Sequence, residues 1–191
     1  MKIVRMQKMV WVGAALTACV ANASPAADQD GSAWKMMDEV SYDYPRSKAT
    51  PTAQALSDRI WAKELKKRNK NIAATFVLLG AETEGDNTYV FTMMDSSIMG
   101  CENPPNGDGT AKAQPLYSKC PLRVVKINNK TSQMDVKQYR NFCYLNLDDE
   151  PGERAKNHTL YSFDPKTKKL YLKTTMYGRN VKSCERTVDV R

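Results

Sequence analysis

Three times between residues 72 and 176, two short runs of aliphatic, β-branched and aromatic residues flank a cluster of turn formers, which is the pattern of antiparallel hairpins and not of helices. Residues 72–80 and 88–94 flank an interval from Ala81 to Asn87 that holds Gly85 and Asp86. Residues 122–127 and 133–139 flank Asn128, Asn129 and Lys130, and asparagine tolerates the left-handed backbone of a tight turn. Residues 160–163 and 170–176 flank a third interval opened by Asp164 and Pro165. Residues 141–147 and 186–190 read as further strands. The expected fold is therefore mainly β, of the α+β kind: an antiparallel β-sandwich or partly open barrel of about seven strands.

One N-terminal helix is expected to pack against it. Over residues 52–69, Ala53, Leu56 and Ile60 share a face, Thr50 or Thr52 can cap the start beside Pro51, and Lys66, Lys67, Arg68 and Lys70 crowd the end, where cations suit the helix dipole. Residues 34–40 read as one further short helix, closed before Pro45.

Five cysteines are present, and Cys19 falls among the first residues, leaving Cys101, Cys120, Cys143 and Cys184 for the domain. An even number suits an oxidising compartment. Cys101 and Cys120 bracket Pro104, Pro105, Gly107 and Gly109, a stretch that cannot hold itself in one conformation, so Cys101 is paired with Cys120 and Cys143 with Cys184. By loop-closure entropy each bridge stabilises by on the order of 3–4 kcal/mol. No Cys-x-x-Cys pair occurs and the single histidine, His158, lies far from any cysteine, so neither a zinc site nor a thioredoxin-like redox pair is indicated; no metal or other cofactor is expected.

Lys2, Arg5 and Lys8 precede an apolar run over residues 9–20 that is too short to span a bilayer as a mature helix, and Ala21 and Ala23 are the small residues a leader peptidase needs. The organisation expected is a signal peptide at 1–23, a flexible or weakly ordered segment at 24–50 and one disulfide-bonded β-rich domain at 51–191. Leu16, Thr17, Ala18 and Cys19 also look like a lipobox, in which Cys19 would be acylated. The periplasm is thus the expected location, with an outer-membrane lipoprotein as the alternative. The formal charge of +8 falls to +5 once the three basic leader residues are removed, an excess that assists encounter with anionic partners without specifying one.

Two surface patches stand out. Lys63, Lys66, Lys67, Arg68 and Lys70, joined by Lys166, Lys168 and Lys169, form a candidate anionic-ligand patch. Tyr139, Arg140, Tyr177, Arg179 and Arg186 form a candidate partner face, because tyrosine and arginine are enriched at protein interfaces. The long bridged loop between Cys101 and Cys120 is another place for recognition. Acids for hydrolytic chemistry exist at Asp148, Asp149, Glu150, Glu82 and Glu84, but they sit in turns, and His158 has no Gly-x-Ser-x-Gly element to serve.

A small, exported, disulfide-bonded β domain without a recognisable catalytic constellation fits a non-catalytic binding protein of the cell envelope: an inhibitor, an immunity-type protein, or an accessory of a secretion or conjugation machine. Its expected partner is an envelope or secreted protein. A lipid-anchored structural component is the second reading and a cell-wall hydrolase the third. Nucleic acid is not expected, and membrane contact requires lipidation of Cys19.

Overall fold

Along the chain, strands β1 (Lys35–Met36) and β2 (Asp38–Ser41) precede helices α1 (Pro51–Ile60) and α2 (Ala62–Lys67). There follow β3 (Phe76–Glu84), β4 (Asn87–Asp95), β5 (Tyr117–Asn128), β6 (Met134–Leu145), β7 (His158–Asp164), β8 (Lys169–Met176), β9 (Arg179–Asn180), a 3-10 turn at Lys182–Cys184 and β10 (Arg186–Asp189). The structure is a computed structural model and describes residues 33–43, 49–69, 71, 74–102, 117–145 and 156–191. Residues 1–32 with Cys19, Lys70, residues 103–116, and Asp148, Asp149 and Glu150 lie outside the described residues.

The strands form two antiparallel sheets. Sheet I has the order β2-β3-β4-β5-β6, and sheet II the order β1-β7-β8-β10 with β9 also on β8. The chain passes from sheet II to sheet I at Met37, whose N–H donates to the Thr159 carbonyl at 3.0 Å, so one continuous extended segment closes one side of the molecule. On the other side no ladder joins β6 to β10 among the described residues. The disulfide Cys143–Cys184 spans that gap, tying β6 to the turn before β10. The mainly β sandwich, stapled by Cys101–Cys120 and Cys143–Cys184, is the architecture the hairpin pattern leads one to expect.

Burial divides along the pleat. Inward residues Leu78, Phe91, Met93, Leu122 and Val124 of sheet I meet Tyr161, Leu170, Leu172 and Val188 of sheet II. The aromatic rings are in contact there, with Phe91 5.5 Å from Tyr161 and 5.3 Å from Phe163 between centroids. The opposite face of sheet I, with Val77, Leu79, Val90, Val125 and Ile127, is sealed by Ala53, Ile60 and Trp61 of the helical segment. The layers are therefore helices, sheet I and sheet II.

Several expectations are corrected. Residues 34–40 are not a helix: they supply β1 and β2, so part of the segment expected to be weakly ordered belongs to both sheets. The helix expected at 52–69 breaks at Trp61, whose backbone leaves helical geometry. That break seats the fully buried indole on sheet I, where Nε1 donates to Thr92 Oγ1 at 3.1 Å and the Arg123 guanidinium lies 3.9 Å from the ring centroid. Of the two candidate caps, Thr50 acts, accepting from the Ala53 N–H at 3.1 Å. The first strand of the first hairpin, β3, is described from Phe76, and Ile72 and Ala73 lie outside the described residues. Its turn is tighter than expected: Glu84 pairs with Asn87, leaving Gly85 and Asp86, and Gly85 has φ +55°, where a residue without Cβ fits best. The runs expected at 133–139 and 141–147 join, over the described residues, in one strand, β6, with a register shift opposite Cys120 and Leu122.

Candidate functional site

The structure divides the basic patch. Lys63, Lys66 and Lys67 project from α2 into solvent, whereas Arg68 turns inward. Its guanidinium meets Asp43 at 3.3 Å and lies 5.0 Å from the Tyr42 ring centroid, while Asp43 Oδ2 also accepts from the Thr75 N–H at 2.8 Å. Arg68 is therefore a structural cation. Lys168 is remote from this cluster: it pairs with Glu84 and lies over the Tyr89 ring at the start of β4, whereas the end of the helical segment reaches Ser97 beyond the end of β4, through a 3.3 Å bond from the Asn69 N–H. The turn carrying Lys166, Lys168 and Lys169 thus does not extend the helix patch. It borders a pocket of about 240 Å³ that gathers Lys126, Lys137, Lys168 and Arg191 beside Asp135. Most of these cations already have partners within the chain, Lys168 with Glu84 and Arg191 with Asp189, and Lys126 stands opposite Asp135 in register.

The expected partner face also divides. Tyr139 donates its hydroxyl to the Asp189 carbonyl at 2.9 Å, and burial, then the charges of Asp189 and Asp135, raise its pKa. Arg186 donates to the carbonyls of Arg140 at 2.9 Å and Asn141 at 2.7 Å and lies over Phe142. These contacts bridge β6 and β10 where the ladder is missing, so Tyr139 and Arg186 hold the sandwich shut. Tyr177 and Arg179 sit apart, on the β8–β9 turn. There the Tyr177 N–H donates to Asn157 Oδ1 at 2.7 Å and Tyr177 as a residue is 56% exposed.

What the sequence did not single out is a cleft on the outer face of sheet II. Trp34, Tyr171, Lys173, Asn180, Glu185 and Arg186, together with Thr187, line about 330 Å³ of space. Lys173 Nζ lies 3.9 Å from the Trp34 ring centroid, and Trp34 Nε1 is shielded from solvent without an acceptor among the described residues. Next to Trp34, Met36 is 57% exposed and pairs in register with Leu160, extending the apolar surface along the sheet. No family model, curated protein or solved structure matches this chain. The chemistry of the cleft therefore has to be read from its own residues: two aromatic rings for packing, with an amide, a carboxylate and two cations around them for orientation.

The candidate catalytic acids among the described residues, Glu82 and Glu84, are engaged. Glu82 pairs with Lys35 at 2.6 Å, and Glu84 with Lys168. His158 opens β7 beside Met36, Met37, Glu39 and Leu145, around a pocket of about 120 Å³. Metal-ligating donor types converge among the described residues at Asp95, Cys101 and Cys120, but the two sulfurs are covalently joined to each other, which leaves one carboxylate. The disulfides mark an oxidising, extracytoplasmic compartment. No helix among the described residues is long and apolar enough to cross a membrane.

Proposed function

We propose that this chain is exported to the periplasm by cleavage of a signal peptide after Ala23 and acts there as a non-catalytic binding protein for another envelope or secreted protein. One observation carries the reading: sheet I has its outer face sealed by a helical layer built around Trp61, whereas the outer face of sheet II has none among the described residues and presents Trp34 and Tyr171 around an open cleft, with exposed Met36 near Trp34. Aromatic residues on a rigid sheet are the composition of interface hot spots, and Glu185, Lys173 and Asn180 supply the polar rim. Such a surface suits an inhibitor, an immunity-type protein or an accessory of a secretion or conjugation machine, each of which works by holding another protein.

The test is site-specific photo-crosslinking in living cells. A photoreactive residue at Tyr171 or Thr187 should yield one discrete adduct that Trp34→Ala abolishes, while the same residue at Lys66 on α2 yields none. Equal adducts from Lys66, or none from the cleft, would overturn the reading. Intact mass of the protein from the envelope separates the two anchoring schemes: a chain starting at Ser24 supports the periplasmic form, and an acylated Cys19 moves it to the lipid-anchored structural alternative.

A further inference from the structure

We propose that Cys101–Cys120 is a thiol–disulfide exchange site served by Asp95, and that Cys143–Cys184 is a structural bridge only. A carboxylate oxygen of Asp95 and the sulfurs of Cys101 and Cys120 all lie within 4.8 Å of one another. The register explains why: β4 and β5 pair Met93 with Leu122, so two residues further along Asp95, the last residue of β4, comes opposite Cys120. The sulfurs are unequal in access, since Cys120 is fully buried and Cys101 only partly so. An incoming thiolate therefore reaches Cys101, and Cys120 is the leaving group.

A thiolate released in a buried position is costly, because burial disfavours the charged form of a group whose ordinary pKa is about 8.5. A carboxyl group beside it that holds a proton removes that cost. Asp95 is placed to act this way: it lies beside both sulfurs, and desolvation raises its pKa above the ordinary aspartate value, in the direction of the protonated form. Cys101 is also prepared for its reduced form, as its sulfur lies 3.5 Å from the Met94 carbonyl oxygen, an acceptor for a thiol hydrogen. Nothing equivalent serves the other bridge. Cys143 and Cys184 are both buried, and no carboxylate clusters with them among the described residues.

The step balances with an external dithiol as reductant. Its thiolate bonds to Cys101 Sγ, the Cys101–Cys120 bond breaks, and the electron pair leaves on Cys120 Sγ, which takes the proton from Asp95. The second thiolate of the reductant then attacks its own sulfur in the mixed disulfide, releasing Cys101 as a thiolate that solvent protonates. The protein disulfide is reduced by two electrons and the dithiol is oxidised to a disulfide. No Cys-x-x-Cys motif is needed, because a carboxylate from the neighbouring strand supplies what a motif supplies elsewhere.

The test uses the oxidised protein and dithiothreitol, with acid quench, maleimide alkylation and peptide mapping to time each bridge. Cys101–Cys120 should open at least about tenfold faster than Cys143–Cys184, and Asp95→Asn should slow it by on the order of tenfold or more while leaving the rate at Cys143–Cys184 unchanged and without lowering the melting temperature. Both bridges opening together, or Cys101–Cys120 opening at the wild-type rate in Asp95→Asn, would overturn the proposal. If Asp95→Asn lowers the melting temperature, Asp95→Glu decides: a rate restored towards wild type supports proton donation, and a rate as slow as that of Asp95→Asn counts against it.

Discussion

The ring of Tyr161 lies across Gly80 so closely that a Cβ on Gly80 would stand 2.5 Å from Tyr161 Cε1. The tyrosine belongs to sheet II and the glycine to sheet I, and the hydroxyl of Tyr161 donates to the Ala81 carbonyl at 3.2 Å. The missing side chain on β3 therefore sets how near the sheets approach on the side closed by β1 and β2. Gly80→Ala should destabilise the domain by about 1–3 kcal/mol through overpacking, seen as a lower urea midpoint with an unchanged slope. Gly80→Ala should cost less in a Tyr161→Leu background than in wild type, and an equal cost in both backgrounds would show that the contact is not the cause.

The division of the basic patch gives a second expectation. The side chains of Arg68 and Asp43 are each 11% exposed, so Arg68→Ala leaves a carboxylate with little water around it and should cost about 3 kcal/mol. Lys66→Ala and Lys67→Ala, on the solvated face of α2, should stay within about 0.5 kcal/mol of wild type. Thermal melts of the three variants under one buffer check the contrast, and equal effects would mean that Arg68 is as exposed as its neighbours.

The hairpins were legible because each strand has one face in a core and each turn carries residues with a local reason to turn. At the third turn, Asp164 Oδ1 accepts from the Lys166 N–H at 2.9 Å. At the second, Asn128 Oδ1 accepts from the N–H groups of Lys130 and Thr131. The segment 34–40 misled because Met37 is buried between the sheets and Val40 beneath the helices, and this three-residue spacing imitates a helical face. It arises because the chain changes sheets at Met37 and the alternation restarts. The helix break at Trp61 carries no proline or glycine, since its cause is tertiary: the indole needs Thr92 on a strand far along the chain. Arg140 and Asn141 hid the continuity of β6, being polar residues at the edge where Arg186 reaches their carbonyls.

The site was less legible than the fold. The cysteine pairing followed from one loop that needed bracing, and the structure has both bridges. Tyrosine and arginine were sound markers of sheet edges, but Tyr139 and Arg186 are used to close the sandwich, and sequence cannot tell a rim residue from a strut. The cleft needs Trp34, just before the first strand, beside Tyr171 and Glu185 from the last third of the chain, a juxtaposition set by the β1–β7 and β7–β8 ladders.

The gap between β6 and β10 makes the second bridge a stability element. Cys143 and Cys184 are 41 residues apart, and closing a loop of that length contributes about 4 kcal/mol by chain entropy. Replacing both with serine should lower unfolding free energy by about that amount and raise hydrogen exchange along β10 most, because Val188 and Val190 lose the anchor preceding them. A loss confined to the helices would contradict the role assigned to this bridge.

The ion pair of Glu64 with Arg123 gives the domain part of its acid sensitivity. Burial alone would raise the Glu64 pKa, but the 2.6 Å hydrogen bond from Arg123 and its charge outweigh that, so the folded-state value is lowered. A carboxylate lowered on folding contributes stability that is present above its unfolded value of about 4.3 and is lost as pH falls through the folded-state value. Asp95 works in the opposite sense: its raised pKa means that folding is opposed by its ionisation above about pH 3.9 and relieved by acid. Asp164 and Asp189 are also lowered, chiefly by hydrogen bonds from Thr167 and Arg191, and since neither substitution touches them they contribute alike to wild type and variant. Glu64→Gln should therefore flatten the fall in stability between about pH 5 and pH 3, whereas Asp95→Asn should steepen it, since the relief that protonation brings is already present at every pH. Urea midpoints collected across that range decide the point, and parallel curves for wild type and both variants would mean that neither carboxyl group is perturbed by folding.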